Sequence, residues 1–193
     1  MSVDFPSNPI IGATYHYNNI LWSYNGYAWD RFDTDIGRTG HTDIGVMYLK
    51  GNTAQTTIGS INGRAIVNGT IQTGDLYNFS KDNSNNALKY FGFGGKFHII
   101  ANFNFYSGSQ NVCGFYIGKN SIAGSSLDPN ADRISESEIY ANSSSSSAQP
   151  VSSTIQTILD LKYNDRIFFI VQNKDATNSI QIEFLKFVAV QID

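Results

Sequence analysis

Apolar and polar side chains alternate strictly between residues 97 and 105, and this pattern constrains the fold more than any other feature. One set is apolar: Phe97, Ile99, Ala101, Phe103 and Phe105. The set between them contains His98, Asn102 and Asn104. Because successive side chains of a β-strand point to opposite faces, a period of two predicts a long strand with one buried face. A helix would instead place apolar residues three or four positions apart.

Similar runs follow along the chain and predict further strands. They are Cys113 to Ile117, Ile134 to Tyr140, Ile155 to Leu161, Arg166 to Asn173 and Ser179 to Ile192. The chain has 193 residues, with 20 Asn and 21 Ser but only three Glu, a composition that favours turns and strands over helices. The sequence therefore predicts an all-β protein with antiparallel sheets packed as a sandwich.

The first part of the chain is rich in aromatic residues. Tyr15 with Tyr17, Leu21 to Tyr24, and Ala28 to Phe32 predict three short strands, with turns at Asn18-Asn19 and Asn25-Gly26. Asn-Gly between apolar runs favours a type I′ hairpin turn, in which both central residues have positive φ. We expect a small β-meander whose two tryptophans fill what core it has.

Three regions follow from these patterns. Residues 1–36 form the predicted meander, and residues 37–75 form a connector that becomes the first edge strands of the main domain. Residues 76–193 form that main domain.

Two predicted strands are apolar on both faces. One contains Ile167 to Val171, and the other places Leu185 and Phe187 opposite Phe184 and Val188. A strand of a two-layer sandwich usually turns one face to solvent, so a second apolar face needs a second cover. Either a subunit interface or loops of the same chain could provide it.

No motif for catalysis or cofactor binding is present. The sequence contains no HExxH, GxSxG, Walker A or CxxC pattern, and Glu136 with Glu138 would share one strand face turned to water. We therefore expect no enzyme activity, no cofactor and no metal. The best metal candidate would be a weak site built from Asp33, Asp35, His41 and Asp43.

The net charge and the remaining composition exclude other partners. A net charge of −3 offers no basic field for nucleic acid, and no window approaches the roughly 20 apolar residues of a membrane-spanning helix. The single cysteine, Cys113, occupies an apolar position and is expected to be a buried free thiol. The start of the chain lacks the regions of a secretion signal, so we expect synthesis in a cytoplasm.

The aromatic opening resembles a short module found at the start of many tailed-phage virion proteins. That module has a Phe-Pro-x-x-Pro start, a Gly-x-x-Tyr element and a Trp-x-x-Asn-Gly-x-x-Trp core. The matching residues are Phe5, Pro6, Pro9, Gly12, Tyr15, Trp22, Asn25, Gly26 and Trp29. The resemblance implies that this module docks the protein to a virion, through Phe5, Pro6, Tyr15, Trp22 and Trp29.

The rest of the chain is similar to the tumour-necrosis-factor-like and C1q-like jelly rolls of phage fibres and head proteins. The resembling pieces include 45–49, 76–79, 88–91, 114–120 and 159–167. Asn164-Asp165 stands where the family usually has a Gly-Asp turn. Such jelly rolls generally assemble as trimers around an apolar axis, which implies an interface formed by Phe168, Ile170, Leu185 and Phe187.

Together these features predict a structural protein of a bacteriophage virion. We expect a homotrimeric capsid decoration or head fibre protein, exposed on the virion surface and anchored to other virion proteins by its N-terminus. The alternative is a tail-associated protein that binds a glycan or protein of the host surface. A glycan-cleaving enzyme is a poor fit, because no pair of acidic residues is a candidate for catalysis.

Overall fold

The computed structural model describes residues 4–17, 20–32, 42–82, 86–108, 110–122, 125–146 and 149–192. The chain divides into two compact units, Met1–Thr42 and Asp43–Asp193. Regular structure in the described residues consists of antiparallel strands and one short 3-10 turn, Ser135–Ser137. The prediction of an all-β protein is therefore confirmed.

The first unit is a three-stranded antiparallel sheet. Its strands are β1 (Thr14–Tyr17), β2 (Ile20–Tyr24) and β3 (Trp29–Phe32), in that spatial order. Asn18-Asn19, the first predicted turn, lies outside the described residues.

The second predicted turn, at Asn25-Gly26, differs from the type I′ turn expected there. Gly26 has a φ of +101°, but the φ of Asn25 is not positive. Tyr24 pairs with Trp29, so the loop contains four residues. The Asn25 side-chain oxygen accepts hydrogen bonds from the backbone N–H groups of Tyr27 and Ala28, each at 2.8 Å. Asn25 therefore closes the loop with its side chain, which removes the need for a second positive φ.

The second unit is a sandwich of two six-stranded sheets. The β10 sheet contains β4 (Ile44–Leu49), β5 (Gln55–Thr56), β7 (Gln72–Tyr77), β10 (Gly95–Tyr106), β13 (Val151–Leu161) and β15 (Ile180–Gln191). The β14 sheet contains β6 (Arg64–Ile66), β8 (Phe79–Asp82), β9 (Ala87–Tyr90), β11 (Val112–Asn120), β12 (Ile139–Asn142) and β14 (Arg166–Asn173). The order is β13-β10-β15-β4-β7 in the first sheet, with β5 beside β15. In the second it is β12-β11-β14-β9-β8, with β6 beside β14.

Two strand predictions differ in part from the structure. Residues 37–75 were expected to become edge strands, and β5 and β6 each pair with one strand only, whereas β4 lies between β15 and β7. Strand order depends on contacts between distant parts of the chain, so the local pattern of β4 did not reveal its neighbours. The predicted strand Ile134 to Tyr140 is a 3-10 turn followed by β12, and the turn buries Ser137. The Ser137 hydroxyl group accepts the backbone N–H of Ile117 at 2.9 Å.

The core lies between the two sheets and is rich in phenylalanine. The ring of Phe103 lies 4.5 Å from that of Phe115 and 4.8 Å from that of Phe169, measured between centroids. At the other end of the core, Phe97 contacts Tyr90 at 4.9 Å. The five apolar residues of the Phe97 to Phe105 alternation are all buried. Each aromatic pair adds to the stabilisation that its buried area provides.

Candidate interaction surfaces

The four residues predicted to form a subunit interface are completely buried within a single chain. Leu185 and Phe187 lie in the core between the two sheets. Phe168 and Ile170 lie in a second, smaller cluster of buried residues. All four have 0% exposure, so they have no surface to offer a second copy, and the interface assignment is wrong.

The second cluster shows what covers the outward face of β14. Ala87, Tyr116, Phe168 and Ile170 form this outer cluster, and Leu127 packs against it together with Ile66. Leu127 belongs to the loop between β11 and the 3-10 turn. The sequence left two possible covers for this face, a subunit interface or loops of the same chain. In this structure a loop of the same chain covers it.

Arg166 fixes the covering loop in place. Its guanidinium group donates hydrogen bonds to the Asn120 side-chain oxygen at 2.6 Å, the Ile122 carbonyl at 2.9 Å and the Ser125 hydroxyl at 3.1 Å. The same group lies 3.6 Å from the Asp82 carboxylate. Because Arg166 is almost completely buried, these contacts satisfy a charge that would otherwise be costly to bury.

Tyr116 forms the polar side of the outer cluster. Its hydroxyl group donates to the Glu138 carboxylate at 2.6 Å and also contacts the Gln172 side-chain oxygen. Burial and this carboxylate both raise the pKa of Tyr116. Glu138 therefore contacts a buried tyrosine, and the expectation that it shares a water-facing strand face with Glu136 is wrong.

The outward face of the β10 sheet carries exposed apolar side chains that the predicted interface did not include. Val46, Val188 and Ile100 are adjacent across three strands, and Ile44 and Val190 form the next row. None of these five side chains is fully buried. Phe184 on the same face is 39% exposed, and Ile158, paired with His98, is 60% exposed. We call this surface the open face: Ile44, Val46, Ile100, Ile158, Phe184, Val188 and Val190.

The open face is not flat. A hollow of about 240 Å³ lies between Val46, Tyr48, Gly74, Phe184 and Lys186. A Cβ atom at Gly74 would lie 3.1 Å from Val46, so glycine keeps this hollow open. Grouped apolar side chains around a hollow are typical of surfaces that bind another protein. Ile100 could have indicated this surface from the sequence. It is apolar, yet it alternates with the buried residues and so shares a strand face with His98, Asn102 and Asn104.

A larger cavity of about 620 Å³ lies at one end of the same sheet. Tyr106, Gln181 and Gln55 are adjacent there across β10, β15 and β5, and all three line the cavity. The Tyr106 hydroxyl group donates to the Glu183 carboxylate at 3.0 Å, and this hydrogen bond raises the pKa of Tyr106. No local sequence pattern predicts this cavity, because residues from three separate segments build it.

The predicted docking residues of the first unit pack mostly against one another. The ring of Phe5 stacks on Trp29 at 5.1 Å, and it also contacts Trp22 at 5.0 Å and Tyr15 at 5.7 Å. Pro6 is exposed. Their docking role, which the resemblance implies, stays a prediction.

Other residues of the first unit are more exposed than this aromatic cluster. Ile10, Ile11 and Tyr27 have exposures of 79%, 63% and 96%. Ile11 lies near Gly26, since a Cβ atom there would be 3.1 Å from the Ile11 side chain. These residues were not among the predicted docking residues.

The described residues contain no group of three or more His, Cys, Asp or Glu side chains placed to hold a metal ion. Of the weak candidate site, Asp33, Asp35 and His41 lie outside the described residues. The Asp43 carboxylate accepts hydrogen bonds from the Asn78 amide and the Tyr90 hydroxyl group, each at 2.7 Å. Among the helices of the described residues, none has the length and hydropathy needed to span a membrane.

Solved structures show which known fold the second unit shares. Murine APRIL is 9% identical and matches with a TM-score of 0.50 over 78% of this chain and 100% of its own. Eiger, a TNF of S. frugiperda, is 11% identical, with a TM-score of 0.50 over 79% of this chain and 93% of its own. The globular domain of zebrafish complement 1qA is 9% identical, with a TM-score of 0.52 over 79% and 98%.

The fold is therefore an antiparallel jelly roll of the tumour-necrosis-factor and C1q type. No protein-family model and no curated protein sequence matches the chain. At these low identities the likeness concerns the fold alone.

Proposed function

We propose that this chain is a non-enzymatic structural protein of a bacteriophage virion, in which three copies assemble through the open face. The first unit attaches the trimer to the particle, as a capsid decoration or head fibre protein. The observation that carries the proposal is the open face, which leaves apolar side chains uncovered on an otherwise complete sandwich.

Exposed apolar side chains are unfavourable in water, and an interface that covers them is favourable. Each square ångström removed from water contributes roughly 25 cal/mol, and stable interfaces bury about 800 Å² per partner. The central row of Val46, Val188 and Ile100, flanked by Phe184 and Ile158, spans four adjacent strands. A second copy would bury these side chains without any rearrangement of the core. The resemblance to trimeric jelly rolls favours three copies around the open face.

Attachment to a particle is supported by the first unit. Its residues resemble a virion module, and Ile10, Ile11 and Tyr27 expose apolar side chains to solvent. A unit of this size with exposed apolar side chains gains stability when a partner covers them. Another virion protein is the partner that the resemblance implies.

Receptor binding on a phage tail is the second candidate function, and the position of the large cavity favours it. Asp43 begins the jelly-roll unit, and its carbonyl accepts the backbone N–H of Gln191 near the start of β10. Gln191 pairs with Phe97, and Tyr106 ends β10 about 30 Å further along at roughly 3.3 Å per residue. The cavity therefore lies at the other end of the jelly-roll unit from Asp43, and its residues Gln55 and Asn178 are exposed and accessible to a ligand.

The trimer is tested by light scattering on the purified chain. Three copies of the 21.3 kDa chain give a mass of about 64 kDa. Val188→Asp and Phe184→Asp place a charge on the open face and should shift the mass to 21.3 kDa. Ile122→Asp is the control, because Ile122 is 67% exposed on a loop away from the open face. A monomeric mass for the unmodified, folded chain would contradict the trimer.

The location is tested by immuno-electron microscopy on particles of the phage that encodes the chain. Antibodies against the jelly-roll unit should label the head if the protein decorates the capsid. Labelling at the tail would instead favour the second candidate function. Particles that carry no label, and whose protein content lacks the chain by mass spectrometry, would contradict both.

A further inference from the structure

The chemistry of the 620 Å³ cavity identifies its ligand class, and we propose that it binds a neutral saccharide. This inference deepens the second candidate function, receptor binding. It does not depend on where on a particle the protein is located or on the number of copies that assemble.

The cavity is lined by amide and hydroxyl groups that can form further hydrogen bonds with a ligand. The side chains of Gln55, Asn178 and Ser179 make no hydrogen bond to any other described residue. The Gln181 side-chain N–H donates to the Asn52 carbonyl at 3.0 Å, which leaves the side-chain oxygen of Gln181 available. Polar groups that converge on a cavity without partners inside the chain are typical of ligand sites.

Two hydrogen bonds to Glu183 hold the aromatic residue of the lining in place. The Tyr106 hydroxyl group donates to the Glu183 carboxylate at 3.0 Å, and the Asn104 amide donates to the same oxygen at 3.3 Å. A Cβ atom at Gly108 would lie 2.2 Å from the Asn178 amide nitrogen, so glycine makes room for that side chain. A tyrosine that is already held in this way loses little entropy when a ligand binds against it.

The charges around the cavity define which ligands fit. None of the described residues that line the cavity is a lysine, an arginine or a histidine, so an acidic sugar or a phosphate would find no counter-charge among them. Glu183, bonded to Tyr106, would repel such an anion. A cavity of amides and hydroxyl groups holds water when it is empty, and a ligand gains affinity only if it replaces those hydrogen bonds. The hydroxyl groups of a neutral saccharide can do so.

The size of the cavity and its aromatic residue agree with this ligand class. A volume of about 620 Å³ is within the range of about 300–1,000 Å³ usual for small-molecule sites. Tyr106 brings an aromatic ring, with an apolar body and a polar tip, into a lining that is otherwise amide and hydroxyl. An apolar ligand would leave the surrounding amides without partners, which costs free energy.

The experiment is saturation-transfer difference NMR on the full chain. The neutral probes are the methyl glycosides of glucose, galactose, rhamnose and N-acetylglucosamine, and the acidic probes are glucuronate and N-acetylneuraminate. At least one neutral probe should bind, and Gln181→Ala and Tyr106→Ala should each weaken that binding at least about tenfold. Gln72→Ala is the matched control, since Gln72 is an exposed glutamine outside the cavity, and it should leave binding unchanged.

Three results would overturn the inference: no signal from any neutral probe, binding by the acidic probes alone, or neutral binding that both cavity variants leave intact. Circular dichroism shows whether each variant has folded, and Tyr106→Phe, which keeps the ring, gives a second test if Tyr106→Ala does not fold. Light scattering on the same samples separates the two proposals. A trimer that binds no saccharide overturns only this inference, whereas a monomer that binds one contradicts only the trimer.

Discussion

Ile182 and Leu185 are three residues apart in β15, and both point into the core between the two sheets. Strict alternation would put them on opposite faces. Asn104 of β10 pairs with Phe184, whereas the next residue, Phe105, pairs with Ile182, so β15 contains one extra residue at this point. Such a β-bulge reverses the facing of every later side chain. Leu185 and Phe187 are consequently buried, while Phe184 and Val188 belong to the open face.

The bulge gives two neighbouring residues with opposite roles, and this contrast can be measured. Leu185→Ala should lower the free energy of unfolding by about 2–5 kcal/mol, because it leaves a cavity in the core. It should not change the mass of the assembly. Phe184→Ala should lower the free energy of unfolding by only about 1 kcal/mol or less, because the Phe184 side chain is 39% exposed. It should, however, weaken self-association.

Urea denaturation and light scattering on both variants make this comparison. If Leu185→Ala dissociated the assembly while leaving the stability of the fold unchanged, the original assignment of Leu185 to an interface would be right after all.

Local alternation predicted those parts of the fold that depend on local sequence. The predicted strand Arg166 to Asn173 agrees with β14 at both ends, and the alternation from Phe97 to Phe105 identified the buried face of β10. The two-sided apolar pattern of β14 correctly indicated a second cover. Its nature could not be predicted, because Leu127 and Arg166 lie far from each other in sequence and meet only in the folded chain.

The candidate sites were less predictable than the fold, for two physical reasons. The bulge in β15 has no marker in the residues around Glu183, and it changed which apolar residues reach the surface. The cavity joins Gln55, Tyr106 and Gln181 from three strands whose pairing is set by the whole fold.

Gly118 allows the outer cluster to form, and a single methyl group there should destabilise it. A Cβ atom at this position would lie 2.5 Å from the Phe168 ring and 2.9 Å from Ile170. Gly118→Ala should therefore lower the free energy of unfolding by about 1–3 kcal/mol. Gly59→Ala is the matched control, because no atom lies within 4 Å of its Cβ position. Its effect on thermal unfolding should stay within about 0.5 kcal/mol. Equal effects of the two substitutions would show that Gly118 is not tightly packed.

Asn164 has a φ of +72°, a left-handed conformation that asparagine tolerates better than most residues. Its backbone N–H donates to the Tyr90 carbonyl at 2.8 Å, so the turn also links β9 to the start of β14. Asn164→Gly should leave the free energy of unfolding nearly unchanged. Asn164→Val should lower it by about 1–2 kcal/mol, because valine is strained in this backbone conformation.

Asn142 provides the comparison for this prediction. It is exposed at the end of β12 and its φ is not positive, so Asn142→Val should have little effect in chemical denaturation. A neutral Asn164→Val variant would show that the turn has a different conformation in solution.

Cys113 is buried, and burial raises the pKa of its thiol to about 11 although a hydrogen bond from Ser107 lowers it. Since the thiolate is the reactive form, alkylation by iodoacetamide at pH 8 should be slower in the folded chain by about a hundredfold or more than in urea. The shift also affects stability. The neutral thiol is favoured in the folded state, so its contribution is fully present below pH 9 and is lost as the pH rises through 11. The stability of the unmodified chain should therefore fall more steeply over this interval than that of Cys113→Ala. Rapid alkylation of the folded chain at pH 8 would contradict the buried position of the thiol.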